Sequence, residues 1–384
     1  PPLFPYTTLF RSVPVVRSEF AITLSTAGFI MVALSLASNG MQILTGRMRE
    51  DKSSPLFLHV GMVLAACICL IVLAPKSFGG IALLFAFGVV SGSGIAITHP
   101  EGLRAVHALD RIAPTLSTAV FMTSGFFGFA SGGAISAQLV SSYGLRGLCP
   151  LVLLPVAGVA VLVLARVRLS TEHVDPRAHS TASERNPYSL PFWKVLGIGL
   201  PAAVSTTIVQ LLNPTYLGEL GFSLRLSGFS TALFGWGGAV GPFLWAAIAY
   251  RKGGLACSGW AFFLSFPFMF LYLVFVRHPA AHWLLFGAGF SAMSAYILTI
   301  TLAREAHGAS LGSRMALIVG GTWGIAMLVF LALAAVADRV GTEPILRLAP
   351  AGYLISGLLT FWVLRQHPKS ALASSVTSAL EPST

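Results

Sequence analysis

The residues best placed to do chemistry lie in one short string, GIAITHPEGLRAV at 94–106, where His99, Glu101 and Arg104 follow the end of an apolar run. Ionisable side chains are costly in hydrocarbon, so these must face protein, water or the headgroup boundary. His99 can exchange a proton near neutral pH, and Glu101 can carry a proton, bind a cation or pair with Arg104. Pro100 lacks an N–H and can interrupt or reorient the helix that bears them. A structural reading competes: a helix exit at a membrane surface, with Glu101 and Arg104 forming a gate or a solvated pair.

Uncharged polar residues form a second set. Asn39 and Gln42 share one apolar stretch; Thr206, Gln210 and Asn213 share another, with Tyr216 just beyond. Thr206, Gln210 and Asn213 recur at helical spacing and so fall on one stripe. That stripe suits either a path for a polar solute or hydrogen bonds to neighbouring helices. Glu305 and His307, in TLAREAHGASLGSR, read as loop residues. The glycine run at 125–133 is no phosphate loop, because it is embedded in FMTSGFFGFASGGAIS without a following Lys-Ser or Lys-Thr. Gly125, Gly128 and Gly132 share one helical face and suit close helix packing or a moving helix interface, and Gly321 and Gly324 invite the same pair of readings. No His, Cys, Asp and Glu cluster has metal-ligand spacing, and no serine or cysteine sits in a recognisable nucleophile–base arrangement. Neither a metal, a cofactor nor an enzymatic activity is expected.

The elements that must position these groups are set by composition. Of the 384 residues, 55% are hydrophobic and 10% charged, and the mean hydropathy is +0.81. A soluble domain is about a quarter charged, so the lipid bilayer is the expected solvent and an all-α polytopic protein the expected fold class. The net charge of +11 comes from 24 Lys and Arg spread thinly at the ends of apolar segments, which fits topology determinants and excludes nucleic acid as a partner. Cys67, Cys69, Cys149 and Cys257 form neither a zinc pattern nor a disulfide framework.

Apolar segments fall near 20–45, 56–75, 78–98, 113–140, 146–167, 190–213, 226–249, 254–276, 281–302, 311–337 and 346–365, eleven in all. The polar stretch 169–189 divides a first transmembrane half, 13–168, from a second, 190–366, and a tail follows at 367–384. TSGFFGFASG at 123–132 aligns with GGTWGIAMLV at 320–329, and the turn GRMREDKS at 46–53 with AIAYRKGG at 247–254, which points to a parallel repeat. With the linker placed in the cytoplasm, 16 Lys and Arg share its side against 7 on the other, Arg11 being set aside. Residues 1–12, PPLFPYTTLFRS, read as a non-native leader, and six plus six helices imply that the first helix is missing and that eleven of twelve are retained.

These strings resemble the major facilitator superfamily, and within it the fosmidomycin-resistance group. His99, Pro100, Glu101 and Arg104 match that group's signature after the fourth helix; SNGMQILTGRMRED at 38–51, with Gln42 and Gly46, is similar to its second-helix exit; and Gly125, Gly128, Gly132 and Gly133 resemble its glycine-rich fifth helix. The resemblance implies alternating access and proton-coupled efflux of a small solute by a monomer in a bacterial inner membrane, with a non-transporting scaffold on the same fold as the alternative. It also implies a cytoplasmic gate at Gly46, Glu50, Asp51 and Arg251. The acid after Gly46 is displaced from the usual position, and Tyr250 stands where the later turn would carry one.

Overall fold

The computed structural model describes residues 13–49, 53–109, 114–169, 189–309 and 311–367. The leader-like residues 1–12, Glu50 and Asp51, linker residues 170–188 and the tail beyond 367 lie outside the described residues. Most of the described residues are helical, and the main helices are α1 (Leu24–Arg49), α2 (Leu56–Ala65), α3 (Phe78–His107), α4 (Pro114–Tyr143), α5 (Leu153–Leu164), α6 (Phe192–Glu219), α7 (Leu224–Lys252), α8 (Gly254–Val274), α9 (Leu284–Glu305), α10 (Thr322–Val340) and α11 (Ala349–Gln366). Hydrocarbon offers no partner for a bare N–H or C=O, and a helix satisfies both within its own segment.

Ten segments among the described residues are long and apolar enough to cross a bilayer. One of them, Thr123–Leu164, runs for 42 residues. At about 1.5 Å per residue it is roughly twice the ~30 Å hydrocarbon core. It turns back at Gly144, whose φ of +62° suits a residue without Cβ, and continues through a 3-10 stretch, Gly144–Val152, into α5. The described residues therefore supply ten to eleven segments fit to cross a bilayer.

Two compact units divide the chain: Pro1–His173 with Gln210–Ala232 and Phe330–Thr342, and Val174–Val209 with Leu233–Val329 and Glu343–Thr384. In the first, α3 packs against both α1 and α2. Small residues permit this, since lipid supplies no hydrophobic drive between helices and close van der Waals approach must do the work. A Cβ on Gly92 would run into the Leu34 carbonyl of α1, and one on Gly94 into the Ala65 amide of α2. At that crossing α2 changes to a 3-10 helix, Ala66–Leu73, and the Ala65 carbonyl accepts the Ser91 hydroxyl at 2.7 Å.

In the second unit, α8 packs against α9 and α11. The edge-on rings of Trp260 and Phe361, 5.1 Å apart, join α8 to α11. Between α6 and α11 the ties are polar: the Ala202 amide donates to Ser356 Oγ at 3.0 Å. Ahead of α10, a segment expected to be one regular helix opens into a π-helix at Ala316–Gly321. Thr322 Oγ1 donates to the Leu317 carbonyl five residues back at 3.1 Å, and the Tyr296 hydroxyl to the Ile318 carbonyl at 2.8 Å, so side chains take up carbonyls in the widened turn.

Candidate functional site

A perpendicular crossing uses about 20 residues, which carries α3 from Phe78 to the neighbourhood of Thr98. His99, Glu101 and Arg104 occupy the next two turns, on the linker side. Sequence alone allowed Pro100 to break the helix there, but α3 runs on to His107. Side chains reinforce the turns before the proline: Thr98 Oγ1 donates to the Gly94 carbonyl at 2.7 Å, and His99 Nδ1 lies 3.2 Å from the Ile95 carbonyl. A carbonyl only accepts, so that contact places a proton on Nδ1.

Glu101 is buried, with 2% of its surface exposed, and Oε1 accepts from Arg104 Nη1 at 3.0 Å across an i,i+3 pair. Arg104 is partly exposed and reaches from the boundary to a carboxylate that is not. The site is fixed from two sides. Gly94 and Gly61 lock α3 against α2, with the Thr98 hydroxyl 2.7 Å from where a Gly61 Cβ would sit, and the Phe121 ring of α4 lies 2.9 Å from where a Gly102 Cβ would sit. A carboxylate, an arginine and an imidazole are thus held together in the last turns of the long apolar helix α3.

The other expected residues are dispersed. Asn39 is half-buried and donates to the Ser35 carbonyl and hydroxyl of its own helix at 2.9 and 3.2 Å. The side chain of Gln42 and the surroundings of Gly46 lie outside the described residues, as do Glu50 and Asp51; Arg251 is exposed at the end of α7. The Thr206 hydroxyl lies 3.0 Å from that of Tyr353 in α11, both buried. Gln210 is half-buried and Asn213 fully buried in the next turns of α6. Gly128 and Gly132 are buried in α4, Gly125 is half-buried, and Gly321 closes the π-helix. At Gly324 a Cβ would meet no atom within 4 Å among the described residues.

His307 forms a corner that its reading as a loop residue did not foresee. Its carbonyl accepts from the Phe192 amide at 2.9 Å and its amide donates to Leu190 at 3.0 Å, the isolated parallel bridge Pro191–His307. Its Nδ1 meets Ser189 Oγ at 2.9 Å. Beside it Lys194 Nζ donates to Gln366 Oε1 at 2.7 Å and reaches His367 Nε2 at 3.1 Å. An ammonium can only donate, so His367 accepts as a neutral ring. Burial first, then the charges of Lys194 and His307, hold His367 below its usual 6.5. Sequence reasoning also missed Asp338 and its partners at the far end of α10. The one signal was an acid beside Arg339 at the margin of an apolar segment. Among the described residues no group of three His, Cys, Asp or Glu could hold a metal ion.

Residues 3–305 match the family model of the Major Facilitator Superfamily. The chain is 24% identical over 369 residues to the fosmidomycin resistance protein of Escherichia coli (strain K12), covering 91% of this chain and 86% of the relative. It is 23% identical over 358 residues to the uncharacterized MFS-type transporter YfnC of Bacillus subtilis (strain 168), with the same coverage. Its fold is similar to the crystal structure of a bacterial homologue of the iron transporter ferroportin in an inward-facing state, with a TM-score of 0.67 at 13% identity over 94% of this chain and 95% of that one. It is also similar to a POT family transporter in complex with 5-aminolevulinic acid, with a TM-score of 0.64 at 13% identity over 96% and 94%. With its apolar helices, its small-residue crossings and a family match over most of its length, the chain belongs to the Major Facilitator Superfamily and is a bacterial multi-pass inner-membrane transporter that moves a small solute by alternating access rather than an enzyme.

Proposed function

We propose that this carrier is a monomeric proton-coupled exporter of the fosmidomycin-resistance type, with Glu101 as its coupling group. The observation that carries the reading is a buried carboxylate that pairs with Arg104 on its own helix at 3.0 Å. Ionised, Glu101 holds Arg104; once protonated it becomes a neutral acid and releases the guanidinium to water or to solute. His99, one turn from the same boundary, is suited to pass the proton. Such a carboxylate in a membrane helix is expensive unless paired, and proton relays are among the uses such residues mark.

The orientation follows from the distribution of Lys and Arg, which puts the 169–189 linker and this end of α3 in the cytoplasm. The parallel-repeat reading supplies two halves, 13–168 and 190–366, that rock about a central path. Export of a small amphipathic or phosphonate-like compound is supported by similarity to the Escherichia coli fosmidomycin resistance protein. Asn39, Gln42, Gln210 and Asn213 are the candidates for contacting solute, and Gly46, Glu50, Asp51 and Arg251 for the cytoplasmic gate. In proteoliposomes carrying a pH-sensitive dye, addition of a transported phosphonate should move protons against the solute. Glu101→Gln should abolish that movement; unchanged coupled flux in this variant removes Glu101 from the mechanism.

A further inference from the structure

We infer that Asp338 is the latch of the gate on the face away from the linker, holding that face shut by capping the first turn of α1. Asp338 lies near the end of α10, and its carboxylate takes three hydrogen bonds from α1. Oδ1 accepts from the Leu24 amide at 2.8 Å; Oδ2 accepts from the Ser25 amide at 2.8 Å and from the Ser25 hydroxyl in a short contact. Arg17 Nη2 stands 4.0 Å from Oδ1.

Leu24 and Ser25 are the first two residues of α1, and amides there have no partner within their own helix. The local candidate cap, Thr23, is already engaged: its Oγ1 accepts from the Thr26 amide at 3.1 Å and its carbonyl from the Ala27 amide at 3.1 Å. The two remaining donors are met by a carboxylate 313 and 314 positions along the chain. A negative charge also complements the partial positive charge of a helix N-terminus.

The cap exists only while α1 and α10 are adjacent at this face. One turn inward they are: a Cβ on Gly28 would sit 3.4 Å from the Phe330 ring and 3.6 Å from Ala334. A second crossing on the same face joins the start of α7 to the end of α4, where Arg225 Nη2 donates to Ser142 Oγ at 3.1 Å and Gly228 has room for no Cβ against Ala137. Packing of small residues brings these helices together; the carboxylate supplies directionality and reversibility. The side chains of Asp338 and Arg17 are 21% and 27% exposed, so water can replace α1 when the face parts. Asp338 touches no solute and is a positioning residue for transport. The inference rests on alternating access and is independent of the role of Glu101.

The test uses the full chain in lipid nanodiscs, with the four native cysteines replaced and spin labels at Arg146→Cys and Arg339→Cys, both exposed positions on this face. The parent should show mainly short distances. Asp338→Asn should raise the ratio of long to short distances by about fivefold, the lower end of conformational couplings, and Asp338→Glu should restore most of the short population. Unchanged distances in a folded Asp338→Asn protein, or an equal shift in Asp338→Glu, would overturn the latch. If Asp338→Asn does not fold, Ser25→Ala, which removes one donor and leaves Asp338 in place, decides on the same readout: a smaller shift supports the latch and none refutes it.

Discussion

Two carboxylates at opposite ends of the helices answer to different partners. Glu101 is paired on its own helix with Arg104 three residues on, whereas Asp338 bonds amides 313 and 314 positions away. An i,i+3 pair needs no second helix to form. A distant cap reports directly whether two helices are together. The first suits the coupling role proposed for Glu101 and the second the gating role proposed for Asp338, and the two should separate experimentally.

The largest effect is expected at the coupling end. Glu101→Gln should reduce solute-driven proton flux to background while leaving the spin-label distances on the far face unchanged. Arg104→Gln removes the guanidinium 3.0 Å from a buried acid and should cost up to about 3–5 kcal/mol of stability, read as a lower melting temperature, with much of the loss recovered in the Glu101→Gln/Arg104→Gln double variant. Asp338→Asn should do the converse of Glu101→Gln: transport kinetics and far-face distances change while the number of protons per solute is retained. A change of stoichiometry there would merge the two roles. Ser25→Ala removes one hydrogen bond to a carboxylate and should cost about 1–2 kcal/mol at most.

The smallest effect concerns pH at the linker-side corner. His367 is held below its usual 6.5 and accepts from Lys194 only when neutral. Its contribution to stability is therefore full above pH 6.5 and is lost as pH falls through the lowered value, because the unfolded ring protonates first. Melting temperature against pH should decline over that interval in the wild type and less steeply in His367→Gln.

Much of this architecture was legible because hydrocarbon imposes one secondary structure on any long apolar run, and the expected segments at 56–75, 78–98 and 254–276 are helical. What escaped was decided by contacts between elements. The π-helix at Ala316–Gly321 depends on side chains such as Thr322 and Tyr296 that take up its carbonyls, and an apolar segment carries no sign of it. Thr206 sat on a legible stripe, but periodicity cannot say which face of a largely buried helix meets a cavity and which meets α11. Gly324 looked like its counterpart Gly128, yet its surroundings leave room for a Cβ. His99, Glu101 and Arg104 were readable because ionisable residues are rare in such a segment. Asp338 was not selected because its partners lie at the other end of the chain.

The most direct test of the coupling claim is simultaneous recording of phosphonate and proton movement in proteoliposomes, for the wild type and Glu101→Gln side by side. Solute and protons should move in opposite directions in the wild type, with the proton signal lost in the variant while far-face distances stay as they were. Glu101→Gln protein that still exchanges protons for solute at the wild-type ratio would contradict the account.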